Sequence, residues 1–368
     1  LRSNEILELL RAARSGMKGL SALSDQARAS RFSFAETEAD IAIATSGSSS
    51  GLNSLAFYGF SFAQIEQQAN AVFSSLNKLP SQLVRLHIPV SYVYGFSFAA
   101  LAVFIGCSVD SKIGIPLTAS DRLKHDVFLP LVPSMVRPIM RTDLFHRVMS
   151  SVVSISFAGG YLSLEERCSL ADVSPALDSM YVMYGATEAM GRISCFDFLN
   201  CDDSVRGSVG LPLPSINVTT AKGRLVFESP YNALLAMHID SSGGLCSEHL
   251  PRAFSPQDHL TFENGHVFFH GRVGDFIKLD GKRISTLELT NVVQKTLGNS
   301  RNCFIKNDLD RALVFVESDQ SLGDSLMLEI KNNIVREFYV SSRDIDVIEM
   351  AELPRLPSGK IDGSALHG

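Results

Sequence analysis

The chain has 368 residues, of which 45% are hydrophobic and 20% charged, a globular composition whose length exceeds one ordinary core and predicts two or three domains. A formal net charge of −6 offers no broad basic surface for a phosphate backbone, which weighs against nucleic acid as the main partner. Cys107, Cys168, Cys195, Cys201, Cys246 and Cys303 show neither CxxC spacing nor a small disulfide framework, so reduced thiols and a cytoplasmic location are expected.

The first 30 residues carry Ile6, Leu9, Leu10 and Ala13 on one helical face, with charge mixed in as no secretory signal would have it. Residues 40–45 then form a short apolar run, followed by a Ser/Gly loop and a helix over 62–76, a strand, loop and helix layout suited to phosphate. The stretch 88–109 holds no charged residue and is long enough to cross a bilayer. Pro89, Gly95 and Gly106 interrupt it, so a buried strand over 83–93 and a helix over 96–105 are expected instead of a membrane span. Further alternation through 152–157, 162–170 and 180–183 points to α/β layering.

From Gly207 onward, short strands at 217–220, 224–228 and 267–270 separated by Gly and Pro predict a β-rich subdomain. A boundary near Arg272–Asp275 precedes a helix over 284–297, strands at 302–306 and 312–317, a helix over 323–338 and a strand at 344–349. The expected fold is therefore α/β and α+β: a layered large domain over 1–273 and a small α+β domain over 274–368.

Four further segments could carry chemistry. Thr45-Ser46-Gly47-Ser48-Ser49-Ser50-Gly51 offers hydroxyls and backbone N–H groups to phosphate oxygens, but lacks the Gly-Lys-Ser/Thr of a P-loop. In Met183-Tyr184-Gly185-Ala186-Thr187-Glu188, glycine brings an aromatic ring, a hydroxyl and a carboxylate together, with Glu188 able to hold a divalent cation and Thr187 a phosphate. Asp258 suits ribose hydroxyls, and Arg272, after Gly271, suits phosphate. Finally, Leu353-Pro354-Arg355-Leu356-Pro357-Ser358-Gly359-Lys360 presents a lysine on a stiff, glycine-hinged loop; taken alone, it reads as a solvated lysine.

In this order, the segments resemble the adenylate-forming superfamily of acyl-CoA synthetases, aryl-CoA ligases and non-ribosomal peptide synthetase adenylation domains, from about Ala42 to the end. Thr45–Gly51 is similar to its phosphate loop, Phe157-Ala158-Gly159-Gly160-Tyr161 to its Gly-Gly segment beside adenine and substrate, and Tyr184–Glu188 to its Tyr-Gly-x-Thr-Glu motif. Gly281-Lys282-Arg283-Ile284 is similar to the segment after its hinge, and Ser358-Gly359-Lys360 to its catalytic-lysine motif. The resemblance implies ATP and Mg²⁺ as cofactors, a small carboxylic acid as substrate, and CoA or the phosphopantetheine of a carrier protein in trans as acceptor. It gives Lys360 the catalytic role, Glu188 the metal, and the nucleotide to Thr45–Gly51, Gly159, Gly160, Tyr184, Gly185, Thr187, Asp258 and Arg272. Gly274 and Asp275 become the hinge, with Lys278, Gly281 and Arg283 on a thiol-transfer face. Tyr92, Tyr94, Tyr161 and Met183 become the acid pocket.

The departures are specific. No lysine follows the phosphate loop, Tyr92 stands where a histidine is common, and Gly274 stands at the first hinge acid. Only 44 residues precede Thr45, so the resemblance implies a shortened N-terminal part and leaves room for a second copy or a partner chain over exposed apolar surface. Two alternatives stay open: a non-catalytic nucleotide-binding or assembly protein, and adenylation without thioester formation.

Overall fold

A computed structural model of the chain describes Ile6 and residues 39–44, 56–76, 83–90, 92–111, 127–140, 152–172, 177–239, 245–356 and 359–367. Its centre is a seven-stranded sheet in the order Ser108–Ser111, Leu83–Leu86, Val127–Leu131, Val152–Phe157, Ser179–Tyr184, Ser194–Asp197, Leu211–Pro212. The first five strands run parallel and the last two antiparallel. Parallel strands are covered on both faces, which explains why every residue of Val127–Leu131 and of Ser179–Tyr184 is buried.

Helix Val93–Ile105 packs on this sheet and is apolar around its whole circumference, buried from Tyr94 to Val103. It is 13 residues long, and no described helix is long and apolar enough to cross a membrane. The strand expected over 83–93 ends at Leu86, because Pro89 cannot donate to a ladder and Tyr92 already caps the following helix.

The layout expected around the Ser/Gly loop is corrected by a second strand. Ala56–Phe60 pairs antiparallel with Ile41–Ala44, Ile41 opposite Phe60, so the loop joins an antiparallel pair before helix Phe62–Ser75 begins. Leu235–Ile239 and Leu245–His249 complete this four-stranded sheet. The helix expected over the first 30 residues lies outside the described residues apart from Ile6, which is helical.

The segment after Phe276 has its own core, built from Ile277, Leu289, Val293, Val314, Ile330 and Ile334 among others. Strands Cys303–Asp308, Arg311–Glu317 and Ile345–Met350 form its sheet, the last two parallel across helix Gly323–Phe338. The helix expected from Ile284 starts at Thr286, since Ile284 and Ser285 finish a hairpin and Ser285 caps the helix in a capping box with Glu288. Alternation in Arg311–Glu317 separates two faces: Ala312, Val314 and Val316 point into that core, while Leu313 and Phe315 pack with Leu353 and Leu366. Leu353 and Leu366 are fully buried, so the lysine loop between them is anchored at both ends.

Candidate active site

The site begins with a hairpin. Asp258–Glu263 and His266–Arg272 are joined by Asn264 and Gly265, both at positive φ (51° and 81°), the geometry an Asn-Gly turn supplies. With a bulge between Asp258 and Leu260, the register sets Asp258 opposite Arg272, and Arg272 Nε lies 3.4 Å from Asp258 Oδ1.

Tyr184, at the end of its sheet strand, donates its hydroxyl to Asp258 Oδ2 at 2.6 Å. Burial first, then the Asp258 carboxylate, push the Tyr184 phenol upward, so it stays a donor. Phe269, on the same hairpin, lies between two tyrosines, with ring centroids 6.1 Å from Tyr184 and 5.8 Å from Tyr161. Burial raises Tyr161 as well. These rings and the Asp258 carboxylate make a platform with one polar edge, chemistry that fits a nucleoside: a flat base and a sugar diol.

Gly159 and Gly160 follow strand Val152–Phe157. Gly159 has φ of +75°, and a Cβ there would stand 3.1 Å from Lys360 Cε and 3.7 Å from its Nζ. The loop bearing Lys360 thus rests on this turn. It is closed by Leu356 N–H donating to the Lys360 carbonyl at 2.8 Å and Asp362 N–H to that of Pro354 at 2.8 Å. Burial and then the Arg272 guanidinium lower the pKa of Lys360, with Asp258 opposing them. Lys360, Arg272, Asp258, Tyr184 and Gly159, distant in sequence, therefore share one site.

Gly185 faces Gly191, where an added Cβ would fall 2.0 Å from the Gly191 carbonyl oxygen; only glycine fits this approach. Thr187 and Glu188 form a 3₁₀ turn immediately beyond. Glu188 is half-buried, and its Oε1 accepts from the Tyr58 hydroxyl at 3.3 Å. Burial and then Glu188 push Tyr58 up to about 12. Among the described residues there is no group of three His, Cys, Asp or Glu able to hold a metal. One carboxylate with oxygen valences to spare suits Mg²⁺ carried in by phosphates, which keeps most of its ligands as water and phosphate oxygen.

Other expected residues lie apart from this cluster. Tyr92 is half-buried at the start of helix Val93–Ile105, and burial raises its phenol. Tyr94 and Met183 are enclosed in the large core; the Tyr94 hydroxyl donates to the Ser156 carbonyl at 3.1 Å. Gly274 has φ of +100° with open space where a Cβ would stand, and Asp275 N–H donates to the Arg272 carbonyl at 3.3 Å. Lys278 and Arg283 oppose each other on an exposed hairpin turned by Gly281. Thr45–Gly51 and Ser358 lie outside the described residues.

Sequence reading missed Phe269, Tyr58 and Arg192. Arg192 is 1% exposed, its guanidinium stacked 4.4 Å from the Tyr94 ring centroid and 4.5 Å from that of Phe98. Burial depresses it to about 10. No local motif announces such contacts, which depend on helix against sheet.

No protein-family model matches the sequence. The fold is similar to that of an anthranilate CoA ligase solved with anthranoyl-AMP, at a TM-score of 0.68 and 15% identity, covering 87% of this chain and 64% of that one. In sequence the chain is 25% identical over 312 residues to a 4-coumarate–CoA ligase of Halorhodospira halophila, covering 82% of this chain and 70% of the relative. In sequence and in fold, the chain is similar to enzymes of the adenylate-forming superfamily. Within this superfamily, the o-succinylbenzoate CoA synthetase of Bacillus subtilis, solved with ATP and magnesium, has a TM-score of 0.65 at 16% identity, covering 88% of this chain and 69% of that one. The chain spans about two thirds of the length of these relatives.

Proposed function

We propose that this protein activates a small carboxylic acid with ATP and passes the acyl group to the thiol of CoA or of a carrier-protein phosphopantetheine. In the first step, a carboxylate oxygen bonds to the α-phosphorus of ATP while the bond to pyrophosphate breaks, leaving an acyl-adenylate. In the second, the thiol sulfur attacks the acyl carbon and AMP leaves.

The observation that carries this reading is Lys360 resting on Gly159 within electrostatic reach of Arg272 and Asp258. There, Lys360 neutralises charge growing between carboxylate and α-phosphate, worth most in a partly dehydrated site. Asp258, oriented by Tyr184, holds the ribose, and Arg272 takes a phosphate or ribose oxygen. Glu188 would hold Mg²⁺, which supplies further neutralisation of the phosphates. Thr45–Gly51 cradle the pyrophosphate. Residues from Gly274 onward act as a lid that turns about Gly274 and Asp275, withdrawing Lys360 and bringing up Lys278, Gly281 and Arg283 for the thiol.

The test is a library of carboxylic acids screened by ATP–pyrophosphate exchange, with CoA, carrier proteins and amines compared as acceptors. Exchange with at least one acid and thiol-dependent AMP release support the reading. Exchange with none overturns it, and release dependent on an amine alone redirects the second step.

A further inference from the structure

Ser134 opens helix Pro133–Met140 at the edge of the large core, and both of its polar groups face the C-terminal segment. Its Oγ donates to the Gly359 carbonyl at 2.5 Å, one residue before Lys360. Its own carbonyl accepts from Asn302 Nδ2 at 3.2 Å and from Arg355 Nη1 at 3.3 Å. Glu317 binds both donors from behind, taking Asn302 Nδ2 at 2.5 Å and Arg355 Nη2 at 2.9 and 2.7 Å. Ser134 and Asn302 are 7% and 1% exposed, so the Ser134–Gly359 and Asn302–Ser134 bonds are sheltered from water, while those of Arg355 are partly buried.

The contact is close. An added Cβ on Gly359 would meet Met135 Cε at 2.4 Å, and one on Gly160 would meet Pro133 Cγ at 3.1 Å. One helical turn further, buried Arg137 pairs with Glu166 at 2.5 Å and donates to the Tyr161 carbonyl at 3.1 Å. The helix carrying Ser134 is thereby fixed to the Gly159–Tyr161 turn against which Lys360 lies.

From this geometry we infer that Ser134 is a positioning residue for Lys360, and that Ser134, Asn302, Arg355 and Glu317 form a latch holding the C-terminal segment with its lysine inward. The inference rests on the adenylation role proposed above for Lys360. Among the described residues, the three bonds to Ser134 and the exposed Lys295–Glu165 ion pair at 3.6 Å cross between the segments. Arg355–Glu317 and Asn302–Glu317 lie wholly on one side and Arg137–Glu166 wholly on the other, so opening leaves no buried charge unpaired. Unpaired buried charge is what makes an ion-pair interface hard to open. Three mostly neutral bonds instead cost little to break, which suits a contact that must release once per turnover.

The test compares the intact chain with Ser134→Ala and Arg355→Gln, reading amide hydrogen exchange across 353–362 and the two half-reactions separately. Loss of one sheltered bond of this kind predicts exchange faster by about tenfold in that segment alone. Pyrophosphate exchange should fall by about tenfold or more, while thioester formation from supplied acyl-adenylate holds or rises. Unchanged hydrogen exchange in both variants, or equal loss of both half-reactions, overturns the latch. If the unmodified protein exchanges pyrophosphate with no acid, the proposed activity fails, while hydrogen exchange still decides whether Ser134 holds the loop.

Discussion

The Tyr184 hydroxyl and the Asp258 carboxylate, 74 positions apart, meet at 2.6 Å, while Arg272 approaches the other carboxylate oxygen at 3.4 Å. One acid is thus oriented from two sides before any nucleotide arrives. Tyr184→Phe removes a hydrogen bond to a charged group already made without nucleotide, so it should lower stability by about 1.5–3 kcal/mol and, by releasing Asp258, weaken ATP·Mg²⁺ binding by about tenfold. Asp258→Ala should weaken binding further. Calorimetric titration of ATP·Mg²⁺ into each variant measures both affinities, and equal affinity in all three proteins would remove Asp258 from the nucleotide site.

Lys360 gives a pH dependence of definite sign. Its pKa in the docked arrangement lies below the ordinary 10.5, owing to burial and then Arg272. A free lysine therefore binds a proton more tightly than the docked one. Without nucleotide, docking should strengthen as pH rises from the lowered pKa towards 10.5, and should be weakest below that window. Triphosphate charge reverses the penalty, so ATP should flatten the dependence. Hydrogen exchange across 353–362 at several pH values, with and without ATP, reads this directly; docking that weakens with rising pH in the absence of ATP contradicts it.

At Gly185 an added Cβ would fall 2.0 Å from a backbone oxygen and 2.2 Å from the backbone carbon of Gly191, atoms that cannot swing aside. Gly185→Ala should cost about 2–4 kcal/mol of stability, visible as a lower midpoint in urea, and should displace Thr187 and Glu188. A midpoint equal to that of the parent would show that the turn relaxes at no cost.

Arg192 makes the opposite prediction. Its guanidinium is buried over Tyr94 and Phe98, Nη1 bonds the Gly191 carbonyl at 2.5 Å, and Nη2 has no hydrogen-bond partner. Replacing so poorly compensated a charge by Met should be neutral or stabilising by about 1 kcal/mol or more. A loss of about 3 kcal/mol or more on denaturation would mean that the two ring faces repay its desolvation.

Much of this site was legible because its parts are local. Gly359-Lys360, Tyr184-Gly185 and Gly271-Arg272 combine a backbone requirement with a charge or a ring, and the loop prolines and glycine announce themselves in sequence. The small sheet was legible too, since Arg311–Glu317 alternates between two apolar faces. Strand Ala56–Phe60 was missed because its pairing with Ile41–Ala44 and Leu235–Ile239 comes from distant chain. For the same reason Phe269 passed as an ordinary strand residue, and nothing near Ser134 in sequence marks it as the support of a loop 225 positions away.

The most direct measurement is Lys360→Ala assayed in the two half-reactions. ATP–pyrophosphate exchange should fall to background, since no other described side chain rests on Gly159 with a positive charge. Thioester formation from supplied acyl-adenylate should stay within about threefold of the parent, because the second step draws on the other face of the lid. Exchange at a near-normal rate in the variant would contradict the account at its centre.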